Sequence, residues 1–138
     1  MKKNNSSIAR ELSDLEQGRL DLKQFPHREH VRLGYEMLRR YPFPEALARF
    51  SPGLRRLAIK GKRPEAYHET ITATFLALIG ERRLGKDYAT WEEFAGHNAD
   101  LMSKDLLREW YESDVLDSVV ARRTFVLPKP RMRAASGA

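Results

Sequence analysis

The chain has no cysteine, which excludes disulfides, thiolate zinc sites, iron–sulfur clusters and any thiol nucleophile. Four histidines remain as the side chains that titrate near neutrality and ligate metals as neutral imidazoles. Long apolar runs are missing too: the stretch Ala73-Thr74-Phe75-Leu76-Ala77-Leu78-Ile79 falls far below the ~20 residues that cross a bilayer. The opening Met1-Lys2-Lys3-Asn4-Asn5 lacks the apolar core of a signal peptide, so the expectation is a soluble cytoplasmic protein. Strand-like alternation is nearly absent, with Thr124 to Leu127 the one β-leaning run. No repeat or linker divides the body. A length of 138 residues suits one domain that buries roughly two thirds of its unfolded surface. Residues 1–127 are read as that domain and 128–138 as a flexible basic tail.

The net charge of +6 raises nucleic acid as a partner until its distribution is considered. Lys2, Lys3, Lys129, Arg131 and Arg133 lie in acid-free end segments, which leaves the body nearly neutral. Within it, residues 28–86 carry 13 basic and 6 acidic side chains, and residues 87–127 carry 4 basic and 9 acidic. Complementary halves that help each other dock are the plain reading. A basic face for a phosphate-bearing ligand or nucleic acid is the sharper one. Arg55, Arg56, Lys60, Lys62 and Arg63 are not interleaved with aromatics that stack bases, which disfavours nucleic acid.

Apolar spacing predicts an all-α bundle of five or six helices with proline or glycine at most joints. Ile8, Leu12 and Leu15 mark a helix from Ser7 to Gln17, with Gly18 placed for a left-handed cap. Leu20, Leu22 and Phe25 read as an extended arm. Pro26 opens a second helix that Pro42 stops at Tyr41. A short helix from Pro44 is expected to break at Ser51-Pro52-Gly53 and restart at Leu54. Pro64 is placed at the start of the most apolar helix, Glu65 to Arg83, whose wide stripe of Tyr67, Ile71, Phe75, Leu78 and Ile79 calls for neighbours on several sides. Thr90 with Glu93 forms a capping box, Ser103 caps a segment carrying Leu106, Leu107, Trp110 and Tyr111, and a last turn spans Ser118 to Phe125.

The chemical oddity is histidine on inward faces. His27 and His30, three apart, project from one side of the second helix, and His68 can approach them from the central helix. As a metal site, His27, His30 and His68 would suit a divalent ion such as zinc, iron, nickel or manganese. As a metal-free site, His30, His68 and Glu69 would be acid/base groups, with Tyr67 and Thr72 contacting a ligand. As packing residues, His27 would bond a loop carbonyl near the helix start, His30 would be packed and satisfied, and His68 would bond a backbone group across the interface. His97 reads as a loop or cap residue. Arg122 is either a salt bridge to the acidic helices or an anion clamp.

Phe25-Pro26-His27-Arg28-Glu29-His30-Val31, Tyr67-His68-Glu69-Thr70-Ile71-Thr72 and Ala121-Arg122-Arg123-Thr124-Phe125-Val126, in that order, resemble a family of small all-helical bacterial proteins without an assigned activity. The likeness spans about residues 20–128 and implies the helical fold, with His27, His30, His68, Thr72 and Arg122 as shared positions. It names no substrate. The leading expectation is a pocket between the two histidine-bearing helices that binds a small polar metabolite, with hydrolase- or lyase-type proton transfer. The competing expectation is a non-enzymatic module that binds nucleic acid or a partner protein through its basic segments.

Overall fold

The computed structural model describes residues 5–130, and among them the chain is all-α with no strand. Five helices carry the architecture: α1 Asn5–Glu16, α2 His27–Arg40, α3 Phe43–Lys60, α4 Glu69–Gly85 and α5 Trp91–His97. Two short ones follow, α6 Ser113–Leu116 and α7 Val119–Arg123, with 3-10 turns at Leu22–Gln24, Pro64–Ala66, Ala99–Met102 and Lys104–Glu109. The β-leaning run at Thr124 is extended but unpaired with any strand. The Thr70 hydroxyl donates to the Thr124 carbonyl at 2.7 Å and accepts from the Val126 N–H at 3.0 Å, which lays this segment along α4.

Helix limits follow local chemistry at several joints. Gly18 takes φ +71, the left-handed conformation that suits glycine after a helix end. Pro26 and Pro42 are extended N-caps of α2 and α3, each placing its missing N–H where no helical bond is lost. Thr90 accepts from the Glu93 N–H at 3.1 Å, while the Glu93 carboxylate reaches back to the Ala89 N–H at 3.4 Å, one residue beyond the expected partner. Ser103 and Ser118 cap their segments through the N–H groups of Asp105 and Ala121.

Leu22–Gln24, expected within an extended arm, is a 3-10 turn, the segment capped by Ser103 is 3-10 rather than α, and two joints also differ from the sequence reading. Residues 43–60 form one helix that runs through Pro52. Proline removes a backbone bond there, but α1 crosses α3 at Gly53 so closely that a Cβ would lie 2.6 Å from the Leu15 carbonyl oxygen and 3.2 Å from Glu16 Cα. Phe50 and Leu57 are buried on either side, so packing holds the helix together across the defect. The second difference is the start of α4. Pro64 opens only a 3-10 turn, and the α-helix begins after His68, which caps it.

Helix α2 packs against α4, α3 and α1, and α4 also meets α3 and α7. Buried side chains therefore ring α4, from Thr70 and Phe75 to Leu76 and Ile79, as its broad stripe requires. Leu15, Met37, Leu76, Phe94 and Leu101 are fully enclosed in the core beneath these helices. No helix among the described residues is long and apolar enough to cross a membrane.

The two charge halves meet less than their totals suggest. Among the described residues one ion pair joins them, the two-pronged contact of Arg82 with Asp100. Beyond residue 127, the Lys129 N–H donates to the Trp110 carbonyl at 3.2 Å and its ammonium pairs with Glu112 at 2.8 Å, so the chain is joined to the body at that point. The rest of the segment read as a tail, from residue 131 on, lies outside the described residues.

Candidate functional site

Three helices and three turns line a partly open cavity of about 180 Å³. Its walls are Val31 of α2, Phe50, Leu54 and Ala58 of α3, and Ile71, Phe75, Leu76 and Ile79 of α4. Leu22 and Ala66 close one border, and His27, His30 and Lys104 form another. A hollow near 150 Å³ is already large enough to admit a benzene-sized molecule.

His27 and His30 line this cavity as their helical spacing requires. Pro26 sets His27 at the first position of α2, with its ring 4.6 Å from that of Phe75 and Nε2–H donating to the Leu101 carbonyl at 2.9 Å. That bond fixes the tautomer and leaves Nδ1 as the acceptor of the neutral ring. His30 lies one turn on, its ring 4.2 Å from Phe25 and 6.3 Å from His27. Burial, with His27 and Lys104 adding positive charge nearby, pushes the His30 imidazole down to about 4. His27 is lowered as well, chiefly by burial against the partial opposition of its Leu101 bond. Both rings are therefore neutral at pH 7.

His68 lines the cavity with its nitrogens already used. Nδ1 accepts the Ile71 N–H at 3.1 Å, which caps α4, and Nε2 donates to the Leu116 carbonyl at 2.7 Å. Burial holds this imidazole below its ordinary value, and the Arg122 charge acts the same way. Its ring joins the start of α4 to α6, and it has no lone pair left for a proton or an ion. The three histidines proposed as metal ligands thus do not share an open point, and among the described residues no group of three His, Asp or Glu side chains is placed to hold a metal.

Of the other candidates, Tyr67 and Thr72 line the cavity, while Glu69, Arg122 and His97 do not. The Glu69 carboxylate accepts from the Tyr67 hydroxyl and, at 3.2 Å, from Ser51, and the Ser51 and Tyr67 hydroxyls touch each other. Burial and the Glu69 bond push the Tyr67 phenol up to about 12, so it stays protonated, with the Arg55 guanidinium 5.1 Å above its ring. Thr72 faces the cavity, but its hydroxyl donates back to the His68 carbonyl at 2.8 Å. Arg122 does not line the cavity and, among the described residues, pairs with no acid. It donates to the Glu65 carbonyl at 2.7 Å and ties α7 to the turn before α4. His97 is exposed and bonds the Glu93 carbonyl of its own helix.

Sequence reasoning missed Lys104, Leu101 and Ser51. Lys104 follows the Ser103 cap, a usable signal for a turn but not for a place beside α2. Nothing local ties Leu101 to His27, 74 positions away. No protein-family model, curated protein or solved structure matches the chain.

Proposed function

We propose that the protein binds a small molecule with an apolar body in the cavity between α2, α3 and α4, and that His27 and His30 engage its polar group. What carries this reading is the pairing of a partly open, mostly apolar hollow with two neutral imidazoles on one border. Sites that take small ligands have this composition, mostly apolar walls with a few placed polar groups. The walls favour an apolar molecule over the small polar metabolite that the histidines alone suggested.

The His27 ring, with Nε2–H committed to Leu101, offers Nδ1 as an acceptor, and His30 offers an uncharged ring a turn away. Such groups orient a hydroxyl or amide N–H. Acid/base chemistry of the hydrolase or lyase type rests here on His30 and His27, while His68, Glu69, Tyr67 and Thr72 act as positioning residues. Lys104 on the same border would receive a carboxylate or an enolate oxygen. Because His68 lacks a free lone pair, a metal-free pocket is the reading we carry forward. The ordered resemblance to the uncharacterised helical family remains part of the proposal as a source of shared positions.

The test is a ligand-observed NMR screen of small aromatic and short aliphatic compounds, repeated on Ile79→Trp, which fills the cavity, and on His30→Phe. Saturable binding by the wild type that Ile79→Trp abolishes supports the reading. Binding that survives in Ile79→Trp places the ligand elsewhere and refutes it.

A further inference from the structure

The middle of the chain keeps a block of positive charge that the fold does not neutralise. Arg55, Arg56, Lys60, Lys62 and Arg63 follow one another at the end of α3, and none is ion-paired with a carboxylate among the described residues, although pairs are frequent elsewhere on the surface. Arg56 instead donates to the Glu16 carbonyl, and Arg55 stacks on Tyr67.

Lys60 and Arg63, with Lys23 from the turn opposite, border an open groove of about 710 Å³. One acid lies along it, Asp21, and its carboxylate is engaged by the Lys23 backbone N–H at 3.0 Å. Leu22 and Ala66 belong to the walls of both this groove and the inner cavity. Leu22 rests on Gly61, where any Cβ would collide with it. The apolar hollow and the basic groove are thus neighbours across a thin partition, and one side of that partition is a half-exposed leucine on a three-residue turn.

We propose that the ligand is an amphiphile whose short apolar body lies in the cavity, with a polar group at its His27 and His30 end and, at the Leu22 end, a phosphate-bearing handle held by Lys23, Lys60 and Arg63. This rests on the cavity reading above. A phosphate fits better than a lone carboxylate because Lys23, Lys60 and Arg63 line one groove beside Arg19, which is paired with Asp14, and arginine and lysine together supply a planar fork and point charges. The groove walls hold no aromatic side chain on which a nucleic-acid base would stack. Leu22 is the element that a bound handle displaces or covers.

The experiment titrates the intact protein, by NMR and calorimetry, with butyl, hexyl and octyl phosphate, with hexan-1-ol and with inorganic phosphate. The wild type is compared with Lys60→Gln/Arg63→Gln, two exposed side chains whose loss leaves the core intact. Hexan-1-ol is expected to shift Phe75 and Ile79 resonances in both proteins. At least one alkyl phosphate is expected to bind about tenfold tighter than the alcohol, as charge-assisted bonds allow. The double variant, or about 1 M salt where screening acts over ~3 Å, removes that advantage. If hexan-1-ol binds and no phosphate improves on it, the handle is refuted and the cavity reading stands. If inorganic phosphate binds while hexan-1-ol does not, the cavity reading falls and takes the amphiphile with it. A single-stranded RNA that occupies the groove and is not displaced by hexyl phosphate refutes the proposal in favour of a nucleic-acid surface.

Discussion

Acid should weaken this fold well before its carboxylates protonate, and His30 is the largest identifiable reason. In the unfolded chain the ring titrates at its ordinary 6.5, and in the native cavity border at about 4. Between those values the unfolded state binds more protons, so stability falls as pH falls through that window and is fully present above it. At about pH 5 the unfolded ring is almost wholly protonated and the native ring only about one-tenth, and the difference integrated from about pH 7 amounts to about 2 kcal/mol. His27 and His68 are lowered too and act with the same sign, which makes the whole-protein loss larger. The groups that face His30 are His27 and Lys104, which add to the effect, and the Phe25 backbone carbonyl and Glu29, which oppose it. Urea unfolding of wild type and His30→Gln at about pH 7 and about pH 5 isolates the term, because glutamine cannot titrate. The wild type is expected to lose about 2 kcal/mol more than the variant over that interval. Parallel losses, or an NMR midpoint for the His30 ring at or above 6.5, would show that the ring is not desolvated and would remove the physical basis of the pocket's neutral imidazoles.

Two glycines on helices should respond oppositely to alanine. Gly53→Ala forces a Cβ against the Leu15 carbonyl at 2.6 Å and should cost about 1 to 3 kcal/mol, whereas Gly96→Ala meets nothing within 4 Å and should gain up to about 1 kcal/mol by helix propensity. Denaturation midpoints check both, and a stabilised Gly53→Ala would rule out the backbone approach of α1 to α3. His68→Ala loses the cap of α4 and leaves the Leu116 carbonyl without its donor, a cost of about 2 to 4 kcal/mol. If calorimetry shows an unchanged melting temperature, His68 has no structural part. Thr70→Val removes the bonds to Thr124 and Val126, so hydrogen exchange at the Val126 amide should accelerate while that of the α2 core stays slow. Unchanged protection at Val126 would mean the C-terminal segment is held by other contacts.

Much of the fold was legible because proline, glycine and the cap residues act locally. Pro26, Pro42 and Gly18 end or begin helices for reasons contained in their own backbones, and the broad stripe of α4 announced a helix surrounded by others. Pro52 was misread because its cost is also local, while its compensation comes from α1, brought against Gly53 by the tertiary fold. His68 was misread because the Pro64 signal drew the helix start four residues early, and because a ring nitrogen caps a helix less often than a serine or aspartate oxygen.

The inward facing of His27 and His30 is a consequence of helical periodicity, and the amino-acid order alone settles it, together with the all-α architecture and the joints at Gly18, Pro26 and Pro42. Whether a histidine keeps a nitrogen free depends on carbonyls far along the chain, Leu101 for His27 and Leu116 for His68. The same holds for the nearness of Leu22 to Gly61 and of Lys104 to His30. Hydrogen bonds and burial are properties of positions in space, so the cavity, the state of its imidazoles and the groove beside it arise only once α2, α3 and α4 have packed.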